Sequence, residues 1–208
     1  MRYRFNSSAY KKLSKRQKVV YWCWQFSFLG LMCFYALYVF PKTLHRSLHT
    51  EPEIDFVTSM VWYFFVPMIA ICVLYALLNH YVEKLDRRDL DERVKGLNGK
   101  SLTPEYFLES RSVLSKDDFT GIYVLHNVTK DLYYVGQGVR VYERLTQHFM
   151  GRGNADVYAD WKYGDRFEIE VIPLEGSGYQ SLNDLERDAI KSYDAYEKGY
   201  NRTRGNAR

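Results

Sequence analysis

Two long uncharged stretches open the chain and a short run of alternating patterns closes it. Val19 to Phe40 carries no charged residue over about 22 positions, a length that crosses a hydrocarbon core as a helix. A second uncharged run covers residues 57–80, with Trp62, Tyr63, Phe64 and Phe65 near its start, as Tyr21, Trp22 and Trp24 stand near the start of the first. Aromatic side chains at such ends suit the boundary between lipid and water. Pro67 inside the second run predicts a kink, which a spanning helix tolerates. A cleaved signal peptide is too short to explain the first run, and no small-x-small cleavage site follows it. Two buried helices of a soluble core would look similar. Uncharged runs of spanning length flanked by aromatics favour a hairpin of two transmembrane helices within residues 19–82.

From residue 83 to 118 the pattern is charged but helical. Glu83/Arg87, Asp89/Arg93 and Asp91/Lys95 are acid-then-base pairs four apart, and Leu85, Leu90, Val94 and Leu97 form a broken apolar stripe. The plain expectation is a solvated linker helix extending the second span; the sharper one is a self-association seam. Asn98-Gly99 ends it, and Thr103-Pro104 starts a short helix with Thr as N-cap.

Residues 119–208 read as a small mixed domain. Ile122–Leu125 and Leu132–Val135 are strand formers, and Asn127, Thr129, Lys130 and Asp131 supply turn chemistry between them. With the turn centred near Thr129–Lys130, Tyr123 and Tyr134 share one face of the sheet and Gly136 lies opposite Tyr123. Helical spacing follows, with Val141, Leu145 and Phe149 on one face and Arg144 and His148 together on another. A second short helix is expected in the Gly-rich stretch after it. Arg166 to Leu174 alternates as a third strand, with Phe167, Ile169 and Val171 on one face. Ser181 is the expected cap of a last helix, whose stripe of Leu182, Leu185, Ala189 and Tyr193 leaves Glu186 beside it.

Charge sets orientation more than partner. The net charge of +4 is mild, and from Phe119 onward 12 Lys/Arg face 13 Asp/Glu, so nucleic acid would be gripped by a local patch. Residues 1–18 hold seven Lys/Arg and no acid, and Lys84, Arg87, Arg88, Arg93 and Lys95 follow the second span. Only Lys42 and Arg46 lie between the spans, so both termini are expected in the cytoplasm and the loop outside. Cys23, Cys33 and Cys72 all fall in the apolar runs, which points to buried or lipid-facing thiols rather than a zinc site or disulfide.

Gly121-Ile122-Tyr123 followed by Tyr134-Val135-Gly136 resembles the signature of the GIY-YIG nucleases, with Val for the middle Ile. The likeness continues in order through Arg144 and His148 on the following helix, Glu186 on a later one, and Gly199-Tyr200-Asn201 near the end. It covers about the last ninety residues. It implies an α/β (α+β) domain with a three-stranded sheet flanked by helices, here fused to the transmembrane hairpin. It also implies a DNA endonuclease in which Tyr123, Tyr134, Arg144, His148 and Glu186 are catalytic. Tyr123 would activate water, with its phenol brought down from a pKa of about 10 by Arg144 and the metal. Tyr134 would orient phosphate and water, Arg144 would bind phosphate, and His148 would position or relay a proton. Glu186 would hold Mg2+ or Mn2+, while Gly136, Gln137 and Asn201 would line the substrate. Glu143 departs from homing enzymes that carry Lys there, and brings a negative charge beside Arg144. The expected setting is a bacterial inner or plasma membrane, with lipid and DNA as partners, incoming phage or plasmid DNA as a target, and homo-oligomers formed through the hairpin or linker helix. The alternatives are an inactive nucleic-acid-binding module and a membrane adaptor protein.

Overall fold

The computed structural model describes residues 13–42, 58 and 61–206. The first twelve residues of the expected basic segment, and nearly all of the loop between the spans, lie outside the described residues. The chain divides into two compact units, Met1–Arg88 and Asp89–Arg208.

In the first unit, helix α1 (Lys15–Phe34) continues through a π-helical turn (Tyr35–Val39). Ser14 caps it: its hydroxyl accepts from Gln17 N at 3.1 Å while the Gln17 side chain accepts from Ser14 N at 3.0 Å. A second π-helical turn (Val61–Phe65) leads into helix α2 (Val66–Lys95). The two helices run antiparallel, with Trp24 against Tyr75 at 5.1 Å and Tyr35 against Phe64 at 5.2 Å between ring centroids. Both are long and apolar enough to cross a membrane. A core helix would have its apolar side chains covered by protein, whereas Phe26, Leu29, Leu37, Ile69 and Leu77 are all more than half exposed.

The second unit is an antiparallel sheet with helices on both faces. Its strands are β1 (Lys100–Leu102), β2 (Gly121–Asn127), β3 (Leu132–Gly138) and β4 (Phe167–Pro173), in the spatial order β1-β4-β2-β3. The sheet therefore has four strands rather than the expected three. The extra one, β1, pairs Ser101 with Glu170 along the outer edge of β4. Three residues are too few to show a period of two, so the strand is defined by its partner and not by its own pattern.

Helices α3 (Pro104–Leu114), α4 (Val141–Phe149) and α5 (Ala155–Lys162) bury Phe107, Leu145, Phe149 and Val157 in one core. Tyr123, Leu125, Ile169 and Val171 line the sheet side of that core. Helix α6 (Leu182–Ser192) covers the other face with Leu185, Ala189 and Ile190 on Ile122, Val124 and Ile172. Leu90 and Val94 are buried in this second core and Leu97 packs beside it, so the apolar stripe expected on a solvated linker is largely covered by the sheet domain's own side chains. Thr103 caps α3 as expected, accepting from Tyr106 N. Ser181 stands at the N-cap of α6 but its hydroxyl makes no capping bond.

Helix α4 is capped from outside itself. Arg140 at its N-cap makes no side-chain cap, and the carboxylate of Asp118 takes over, accepting from Tyr142 N at 2.9 Å and Glu143 N at 3.1 Å. The same side chain accepts from Phe119 N at 2.9 Å, so it fastens the first turn of α4 to the residues that lead into β2. A carboxylate also suits the positive end of a helix dipole. Replacing a cap usually costs about 1–2 kcal/mol. Asp118→Ala should lower the unfolding free energy by that amount and speed amide hydrogen exchange at Tyr142 and Glu143. Unchanged exchange at both amides would contradict this role.

Candidate active site

The site starts from a strand register. The turn after Asn127 is pinned by that side chain, whose oxygen accepts from Thr129 N at 3.0 Å and Lys130 N at 3.1 Å. It closes through Asp131, which adopts the left-handed region at φ 53°. The resulting pairs are Asn127 with Leu132, Leu125 with Tyr134, and Tyr123 with Gly136. A Cβ at position 136 would overlap the phenol oxygen of Tyr123, so glycine supplies the space in which that oxygen sits. Tyr123 and Tyr134 share a face of the sheet as expected, with ring centroids 6.2 Å apart.

Helix α4 brings His148 beneath both rings. Its centroid is 5.5 Å from that of Tyr123 and 4.9 Å from that of Tyr134, and its Nε2 lies 2.9 Å from the Tyr123 oxygen. Asn154 N donates to His148 Nδ1 at 3.0 Å, which requires that nitrogen to carry a lone pair. In the neutral ring the proton is then on Nε2, and His148 donates to Tyr123. The ring is kept neutral first by burial and then by the Arg144 charge, which together bring its pKa down to about 4. The Tyr123 pKa is moved well above its ordinary value, first by burial and then by the neighbouring Tyr134; Arg144 pulls the other way but does not win. Tyr123 is fully buried, so desolvation outweighs Arg144, one of the two charges expected to lower this phenol.

A polar cavity of about 490 Å³ opens in front of these rings, lined by Tyr134, Arg144, His148, Glu186 and Asn201, with Arg152 at its side. Tyr123 lies behind that lining. The Arg144 guanidinium donates to the neutral amide of Gln147 and also acts on the Tyr123 phenol, and among the described residues no carboxylate pairs with it. The neighbouring Glu143 carboxylate, expected to oppose a phosphate, is turned to Arg140 at 2.8 Å.

Glu186 is 8% exposed, and its Oε2 accepts from Gln137 Nε2 at 3.0 Å and Asn206 N at 3.3 Å. Gln137 also donates to Asn183 at 2.8 Å, so it positions the carboxylate by holding two residues of α6. Burial pushes the Glu186 pKa up, opposed by the Asn206 N–H and by Arg187. Its Oε1 accepts no hydrogen bond among the described residues, and the side chain lines the cavity, open to water or a cation. No cluster of three or more His, Cys, Asp or Glu side chains that could hold a metal occurs among the described residues. A lone carboxylate of this kind suits a hard cation that keeps most of its water, and Glu186 is the residue here that would hold one.

Asn201 uses both ends of its amide on one residue, accepting from Val135 N and donating to Val135 O, each at 2.8 Å. It fastens the chain end to β3 beside the cavity. Gly199 makes this approach possible, since a Cβ there would collide with Tyr133 O. Sequence reasoning missed Asn154, whose peptide N–H sets the His148 tautomer while its side chain caps α5 through Asp156 N and Val157 N. Asn at position 154, just before a helical run, carried the capping signal but not the histidine contact.

Neutral burial of His148 has a thermodynamic consequence. Its pKa is about 4 when folded and about 6.5 when free, so the unfolded chain binds the extra proton first as pH falls. The stability tied to the neutral ring is complete above about pH 6.5 and is lost as pH falls towards about 4. That loss amounts to about 3 kcal/mol. His148→Gln should flatten the fall in melting midpoint across this window relative to the wild-type protein. An identical slope in both would show that another group carries it.

A scan against protein-family models finds one description for this arrangement, the GIY-YIG catalytic domain, matching residues 119–201. No curated protein matches the chain, and no solved structure does. The match lies in the C-terminal part of the chain and takes in both glycine-tyrosine tripeptides, Arg144, His148, Glu186 and Asn201.

Proposed function

We propose that this protein is a membrane-anchored endonuclease that hydrolyses phosphodiester bonds in DNA with the help of one divalent cation. The observation that carries the reading is the single polar cavity onto which Tyr134, Arg144, His148 and Glu186 converge, in front of Tyr123. Phosphodiester hydrolysis needs an oriented water, a proton acceptor, and positive charge at the phosphate and the departing oxygen. Arg144 offers planar donors that match phosphate oxygens and stay charged at any working pH. When bound at Glu186, Mg2+ or Mn2+ supplies Lewis-acid charge at the departing oxygen.

Tyr123 is assigned as the proton acceptor because a hydrogen-bond donor, His148 Nε2–H, is aimed at its oxygen. Such a donor favours the charged phenolate. Arg144 adds to that preference. Tyr134, which faces the cavity, orients phosphate and water. Gln137 holds the carboxylate of Glu186, and Asn201 holds β3 in place.

The hairpin of α1 and α2 would keep this chemistry at a membrane, with both chain ends on the cytoplasmic side by the count of basic residues. DNA arriving at that surface, from a phage or a plasmid, is the proposed substrate. No helix-turn-helix or zinc module accompanies the domain among the described residues, in keeping with weak sequence preference.

Glu186→Gln should bind DNA and lose cleavage. Tyr123→Phe should keep DNA affinity and lower turnover by about 100-fold or more, the usual range for loss of a general base. Both are read by gel cleavage and fluorescence anisotropy on the purified full chain, after melting curves confirm folding. Cutting at the wild-type rate by Tyr123→Phe would move the base role to Tyr134. Full cleavage by Glu186→Gln would remove the metal site from this carboxylate.

A further inference from the structure

We propose that Arg152 binds a second phosphate of the substrate strand, beside the one held at Arg144, so that the site recognises a polynucleotide and not an isolated diester. This rests on the nuclease reading above and assigns a residue that reading does not use. Arg152 lines the same cavity as Arg144 and Glu186. Among the described residues its guanidinium has no hydrogen bond and no ion pair. Arg202, on the same wall, is held by Asp156 at 3.1 Å. Among the described residues Glu186 is the only carboxylate that lines the cavity, and its Oε2 is already engaged. Two guanidinium groups without a carboxylate partner therefore share one polar cavity, and an anion with more than one charged centre completes it.

The backbone at Arg152 is held, although its side chain is exposed. Arg152 N donates to Gln147 O at 2.7 Å, Gly151 N to His148 O at 3.1 Å, and Asn154 N to His148 Nδ1 at 3.0 Å. Gly151 takes φ 76°, a left-handed conformation that favours glycine. A Cβ at Gly153 would come within 2.7 Å of the His148 ring, so glycine lets the loop lie directly on it. The base of the Arg152 side chain is thereby fixed relative to His148 while its tip stays open to the cavity. Less freedom is lost when a phosphate arrives. A solvated surface arginine needs no such fixing.

The test uses the full chain in detergent micelles, carrying Glu186→Gln so that bound DNA stays intact, with a labelled duplex followed by fluorescence anisotropy across a salt series. Adding Arg152→Ala should weaken binding about 10-fold at low salt, a usual cost for one charged hydrogen-bonded contact. It should also reduce the slope of log affinity against log salt by about 0.9, the share of one phosphate. Arg152→Lys should restore the slope, and Lys162→Ala, which removes an exposed cation that does not line the cavity, should leave affinity and slope unchanged. Parental affinity and slope in Arg152→Ala would overturn the proposal, as would an equal loss in Lys162→Ala, which would make the effect one of general surface charge. Failure of the parent itself to bind any duplex would instead bring down the nuclease reading, and this proposal with it.

Discussion

The pairing of Tyr123 with Gly136 across β2 and β3 is the constraint on which the rest of the site depends. A strand has a period of two, so a slip of one residue would turn Tyr123 to the α6 face and bring a side chain against its ring. The register is held at the far end of the hairpin by the Asn127 turn, and that asparagine is itself fixed. Its Nδ2 donates to Asp165 and to the Tyr200 hydroxyl, both at 2.7 Å. Tyr200 donates onward to Asp160 at 2.6 Å, and Lys130 meets Asp160 and Asp165 at 2.6 and 3.1 Å. One polar network, buried at Asn127 and open to solvent at Lys130, thus joins the hairpin tip, α5 and the segment that carries Asn201. Removing any member would leave others unsatisfied, which costs more than the lost bond itself.

From that register the chemistry is assembled by backbone as much as by side chains. The Asn154 N–H fixes the tautomer of His148, which then donates to Tyr123. The Asn206 N–H and Gln137 fix Glu186. The burial that holds these groups in place also keeps Tyr123 protonated and His148 neutral in the ligand-free state. A cation brought to the cavity would oppose the effect of burial on the phenol, and an anion would add to it.

Much of this was legible in the sequence because it depends on short periods. The alternation of β2, β3 and β4, the turn residues from Asn127 to Asp131 and the helical spacing of α4 gave the face shared by Tyr123 and Tyr134, and the glycine opposite Tyr123. Strand β1 was not legible, since three residues show no period and Lys100–Leu102 becomes a strand only through its pairing with β4. Asp118 as the cap of α4 was hidden by its distance along the chain from Tyr142. The covering of Leu90 and Val94 by the second core was hidden by the charged residues around them. Peptide N–H donors such as those of Asn154 and Asn206 leave no mark in side-chain identity, so the tautomer of His148 and the setting of Glu186 required coordinates. The raised pKa of Tyr123 follows from complete burial, which a strand tyrosine does not announce.

The central claim is that this cavity hydrolyses DNA with the chain's own residues and a divalent cation. The most direct measurement is incubation of supercoiled plasmid with the purified full-length wild-type protein, with and without added Mg2+ or Mn2+, followed on an agarose gel. The account predicts nicked and then linear plasmid only when the cation is present. Plasmid left intact with either cation, by protein shown to be folded and to bind DNA, would contradict it.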